Sequence, residues 1–311
     1  MWIRLITGLL VIFFAGRRYP LYGRLFLGMS NLKTEWSRTL IWHIINAFPE
    51  CCVILLSITV THNAALSLGG ILGAVLLNFF ILACFLLFKK EHENSTQVNI
   101  FPTLLIAAFS LLLSLSLWLK TGAGFLNVGW ASIFMLAGYI VYLKFFPLKT
   151  EEISQETDLE ITPFILSLRF FVASLLIFAG AGQLVYSCKE IIAYFQLPST
   201  LVGALVLGPV ACLPKYSSLF TQNKTASFQV KSILVANIFT LGLLTFMVDF
   251  FYLQATVYTQ ATQAQFYLSL AVLSLSLCTL GIFLWTKYKK ILSGIIILGY
   301  LTSIILLLYK S

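Results

Sequence analysis

Two stretches decide how this chain reads: "IINAFPECC" at residues 44–52 and "PVACLPKYS" at residues 209–217. Each lies in a long apolar run and sets a proline before a charge, Pro49 before Glu50 and Pro214 before Lys215. A proline removes one rung of a helical hydrogen-bond ladder. A charge in hydrocarbon is expensive unless it is paired or faces a watery cavity. The same punctuation twice, with opposite sign, points to two related segments that meet at a site.

The surrounding composition fixes the solvent. Of 311 residues, 59% are hydrophobic and only 10% charged, too few polar side chains to coat a soluble body of this size. Runs such as "FPTLLIAAFSLLLSLSLWLK" from residue 101 reach the roughly 20 residues that a helix needs to cross a bilayer. No period-2 alternation suggests a barrel, so the class is an all-α integral membrane protein. The six cysteines fall in apolar stretches without CxxC spacing and read as small buried hydrophobes. The net charge of +9 collects in short connections, which suits membrane topology and argues against nucleic acid. "MWIRLITGLLVIFFAGRR" has the outline of a secretory signal but no small-x-small cleavage site, and is expected to be mature sequence.

Apolar runs and polar breaks predict ten spans, at 3–28, 37–60, 65–88, 100–119, 124–145, 163–195, 199–221, 231–252, 264–286 and 291–309. With both termini outside, Lys33, Arg38, Lys89, Lys90, Lys144, Lys149, Lys224, Lys231, Lys287, Lys289 and Lys290 lie on the cytoplasmic side. Only Arg4, Lys120 and Lys310 are then left outside, as the positive-inside rule requires in a plasma (inner) membrane. The acidic stretch 146–162 reads as a cytoplasmic linker between a first five-helix unit, 1–145, and a second, 163–311.

Shifting the first unit by 165 positions lays residues 9–50 over 174–215, so that Pro49 meets Pro214 and Glu50 meets Lys215. An odd number of spans per unit inverts the second copy. That is an architecture of secondary transporters, whose substrate site lies near the midplane between repeats.

The repeated residues also resemble the sodium/calcium exchanger family of calcium:cation antiporters, whose repeats each carry a "GTSLPE" stretch and then a "GNxxGSNxxN" stretch. "NAFPE" (46–50) and "SLGGILGAVLLN" (67–78) are similar to the first pair, "ACLPK" (211–215) and "VKSILVANIFT" (230–240) to the second. The resemblance implies two inverted five-helix repeats and cation antiport by alternating access, with Ca2+, Na+ or H+ as transported ion and no cofactor. It also implies an ion site built from Glu50, Lys215, Asn46, Asn78, Asn237 and Thr240, with Glu50 and Asn78 the candidate metal ligands. The family's Thr-Ser positions fall on Asn46 and Ala47 in one repeat and on Ala211 and Cys212 in the other. Its later Ser positions fall on Ala74 and Ala236.

These departures change the chemistry. Calcium takes six to eight oxygens, usually with more than one carboxylate, and here one carboxylate faces one ammonium. Lys215 is expected to pair with Glu50 and stand where an ion would sit, as a tethered cation. His43, two turns before Glu50, is a candidate proton relay, or simply bonds a nearby backbone carbonyl. Asp249 reads as an interfacial carboxylate. Partners are inorganic cations and the bilayer. The alternative is an exchanger-fold protein that no longer transports and serves as a partner or regulator. Nothing resembles HExxH or GxSxG, so no enzyme is expected.

Overall fold

The computed structural model describes residues 1–29, 34–88, 100–147, 162–221 and 226–309. Nearly everything in them is helix, because in lipid each backbone N–H and C=O must find its partner within its own segment. In chain order the helices are α1 (Trp2–Met29), α2 (Glu35–Asn46), α3 (Phe48–Thr61), α4 (Ala64–Phe88), α5 (Phe101–Leu119) and α6 (Trp130–Phe145). Then follow α7 (Pro163–Phe195), α8 (Ser199–Val202), α9 (Gly208–Thr221), α10 (Ala226–Phe239), α11 (Thr245–Phe251), α12 (Gln263–Leu284) and α13 (Lys289–Tyr309). Single π-helical stretches, Gly203–Leu207 and Thr240–Leu244, join α8 to α9 and α10 to α11 into continuous rods.

Among the described residues, seven of these rods are long and apolar enough to cross a membrane, and the bent pair α2–α3 makes an eighth. The chain is therefore a multi-pass membrane protein. The two remaining helices fall short of that test for visible reasons. Four arginines (Arg4, Arg17, Arg18, Arg24) lower the hydropathy of α1, and α6 has only 16 residues.

The expected span 124–145 needs correction at its start. Gly124–Phe125 and Val128–Gly129 form a small antiparallel hairpin (β1 and β2), and helix begins only at Trp130. Leu126 and Asn127 both have positive φ, 50° and 64°, the two-residue turn whose twist suits a tight hairpin. The prolines also behave unequally. At Ala47 the chain bends by 69° between α2 and α3, and Pro49 takes the second position of α3, where a helix has no use for its N–H. Pro214 lies inside α9 without ending it. The irregularity on that side is the π-helical stretch upstream.

The bundle is held at its centre by backbone approach. A Cβ at Gly73 would come within 2.3 Å of the Ala204 carbonyl oxygen, and one at Gly203 within 2.3 Å of the Leu66 carbonyl oxygen. Small residues allow this closeness where hydrophobic burial cannot distinguish protein from lipid tails. Around that contact α1 packs along α7, and α5 along α12. The packing places α3, α4, α9 and α10 side by side. Most of the acidic linker, residues 148–161, lies outside the described residues, as do Lys33, Lys89, Lys90, Lys149, Lys224 and Lys310.

Candidate functional site

Glu50 enters from the first turn of α3, just after the bend, and is 1% exposed. Lys215 follows Pro214 on α9 and is 5% exposed. Lys215 Nζ lies 3.7 Å from Glu50 Oε2. At an effective dielectric of about 20 such a pair attracts by about 4 kcal/mol, against a desolvation cost of several kcal/mol for each ion. The ammonium also lies 5.4 Å from the centre of the Tyr216 ring.

The other carboxylate oxygen, Glu50 Oε1, accepts a 2.6 Å hydrogen bond from Thr240 Oγ1. Thr240 opens the π-helical stretch after α10, and its hydroxyl also lies 2.9 Å from the Ala236 carbonyl. The widened turn of a π-bulge re-aims side chains, and such turns are frequent at functional sites.

The two candidate asparagines form a second cluster. Asn78 Nδ2 donates to Asn237 Oδ1 at 2.6 Å, and Asn78 Oδ1 accepts from the Tyr216 hydroxyl. Both asparagines are fully buried, and Asn237 Nδ2 has no hydrogen-bond partner among the described residues. Tyr216 thus touches both clusters. Sequence reading passed over it, although it directly follows Lys215.

His43 is bonded to a side chain of another helix. Its Nδ1 is 3.0 Å from the Tyr139 hydroxyl on α6, and no hydrogen bond or ion pair joins it to Glu50 among the described residues. The backbone-carbonyl bond is replaced by a phenol. Asn46, the last residue of α2 before the bend, shares with His43 the wall of a small cavity. Trp42, Lys215, Lys231, Ser232 and Phe239 are also in that wall.

Asp249 is the clearest departure. It is fully buried in protein rather than exposed, and three donors hold it: Gly129 N and Ser132 Oγ at 2.7 Å on Oδ2, and Val257 N at 2.8 Å on Oδ1. The Tyr258 hydroxyl lies 2.6 Å from Ser132 Oγ. In the loop after α11, burial and then the Asp249 charge push the Tyr258 phenol well above its usual range.

No group of three His, Cys, Asp or Glu side chains that could hold a metal occurs among the described residues. All six cysteines are free thiols.

No family profile and no curated protein sequence matches the chain. Solved structures do. The structure of native YfkE superposes with a TM-score of 0.66 at 14% identity, over 98% of this chain and 90% of that one. The H+/Ca2+ exchanger CAX gives 0.67 at 12% identity, over 99% and 88%. The sodium-calcium exchanger NCX_Mj, soaked with Na+ and Sr2+, gives 0.56 at 15% identity, over 97% and 96%. CAX and NCX_Mj are named as exchangers, which are transporters rather than enzymes. Over almost its whole length, this chain has the fold of the calcium:cation exchangers.

Proposed function

We propose that this chain is a secondary transporter that exchanges cations by alternating access, and that Lys215 takes the place of a divalent ion beside Glu50. In this reading the chain crosses the plasma (inner) membrane ten times, as two inverted repeats of five helices with both termini outside. The matched order of elements on either side of residues 146–162 supports the repeat: α1 with α7, the bent α2–α3 with α8–α9, α4 with α10–α11, α5 with α12, and α6 with α13.

The observation that carries the proposal is the buried pair itself, 3.7 Å apart at the positions where the resemblance puts the exchangers' two glutamates. A site with one carboxylate and one ammonium is close to neutral and short of the oxygens calcium needs. It suits monovalent cations or protons better. When Lys215 swings away, Glu50 is left with a hydroxyl and a negative charge for an incoming cation or proton. Asn78, Asn237, Asn46 and Thr240 would supply neutral oxygens along the path. His43, facing the cavity, would serve as a way station for protons only through a bridging water.

A second reading has its own support. Glu50 Oε1, Asn78 Oδ1 and Asn237 Oδ1 all accept bonds from within the protein. A site so satisfied is what a non-transporting exchanger fold, kept as a partner or regulator, would also contain. Reconstituted vesicles separate the two: the transporter reading predicts movement of sodium, potassium or protons down an imposed counter-gradient. Folded, oriented protein that moves none of these, and no calcium, would establish the second reading instead.

A further inference from the structure

We infer that the cavity beside the ion pair is a binding site for a small monovalent anion, a halide or a short carboxylate, which draws Lys215 away from Glu50. This rests on the transporter reading for its consequence, though not for its geometry.

Among the described residues, the wall of the cavity contains two lysines, Lys215 and Lys231, one histidine and no carboxylate. Glu50 is not part of that wall, so Lys215 stands between the cavity and its own counter-ion. A cavity built to receive a bare cation would carry the opposite charge.

A second observation comes from His43. The side chain is 6% exposed, its Nδ1 is taken up with Tyr139, and its Nε2 has no hydrogen-bond partner among the described residues although the ring lines the cavity. Buried polar atoms are rarely left unpaired. In the tautomer in which Nδ1 accepts from the Tyr139 hydroxyl, Nε2 carries the proton and offers a donor to the cavity. Asn46 and Ser232 add an amide and a hydroxyl, while Trp42, Val235, Ala236 and Phe239 make the rest of the wall apolar. A few donors in an apolar wall fit a small, weakly hydrated monoanion better than a multiply charged one, which would be costly to desolvate.

An anion seated there adds a negative charge on the side of Lys215 away from Glu50. The ammonium is then drawn toward the anion as well as toward Glu50, and Glu50 is freed in proportion. Anion binding and cation binding at Glu50 would therefore assist each other, and by linkage each would raise the other's affinity by the same factor.

The test is thermal unfolding of the purified protein at fixed sodium and ionic strength, with gluconate, too bulky for the cavity, replaced stepwise by chloride or by acetate. The inference predicts a saturable rise in midpoint with chloride, acetate or both, and the two arms identify which anion the site takes. Lys231→Gln and His43→Phe should each weaken the apparent affinity at least tenfold while still unfolding cooperatively. A midpoint indifferent to both anions, or a saturable rise that persists unchanged in both variants, would overturn it. Cation flux in all-gluconate vesicles is scored separately. Flux without anion stabilisation defeats this inference alone, and anion stabilisation without flux under any condition defeats only the transporter reading.

Discussion

Glu50 and Asp249 are both buried acids in one bundle, and their surroundings differ in kind. Asp249 is met by two backbone N–H groups and a serine hydroxyl at 2.7–2.8 Å, all fixed by the hairpin, the start of α6 and the loop after α11. Glu50 is met by one hydroxyl at 2.6 Å and an ammonium at 3.7 Å on a flexible four-carbon stem. Backbone donors cannot leave without unfolding something, whereas a lysine can rotate. The first carboxylate is a latch that staples the loop after α11 to the hairpin and α6. The second can change partners, which is what a transport site requires.

Five substitutions probe that contrast. The largest effect belongs to Glu50→Gln, which leaves Lys215 charged and buried without its counter-ion. A loss of about 3–5 kcal/mol is expected in reversible unfolding. Adding Lys215→Met should return most of it, so the double variant measures how far the pair is a matched unit. Asp249→Asn comes next. Its amide must turn an N–H toward at least one existing donor, at a cost of about 1–3 kcal/mol, and no single partner change should rescue it. Faster hydrogen exchange confined to the hairpin and residues 252–262 would mark the latch as the part that opens.

Thr240→Val removes one neutral donor from Glu50 and should cost about 1 kcal/mol, with a larger effect on cation selectivity than on stability. Tyr258→Phe should be the mildest at neutral pH, and its signature lies at high pH. Burial raises the phenol above its ordinary value of 10.0, so its contribution is complete below pH 10 and is lost as pH climbs through the folded value. The wild type should therefore lose more stability above pH 10 than Tyr258→Phe, as read from unfolding midpoints across pH. Equal loss in both would remove Tyr258 from the latch.

The contrast also explains what was legible in the sequence. Apolar runs and the 165-residue offset were enough to expect the helices and to pair Glu50 with Lys215, because charges inside hydrocarbon are few and must find each other. Asp249 looked interfacial because it lies near the end of a run. What buries it is a hairpin turned by Leu126 and Asn127 and a loop folded back from residue 252, both outside any periodic pattern. Asn127 was the available hint, since asparagine tolerates positive φ. The bond from His43 to Tyr139 joins residues 96 apart, on helices whose rotation only packing decides. The cavity wall likewise includes residues of the helix that ends at the 69° bend, which Pro49 signals in position but not in angle.

The claim that Lys215 stands in for a divalent ion is tested most directly by calcium titration of the purified protein in a calorimeter, comparing the wild type with Lys215→Glu. Restoring a second carboxylate in place of the tethered ammonium should create calcium binding that the wild type lacks. Saturable calcium binding by the wild type at Glu50, or none in a folded Lys215→Glu variant, would contradict it.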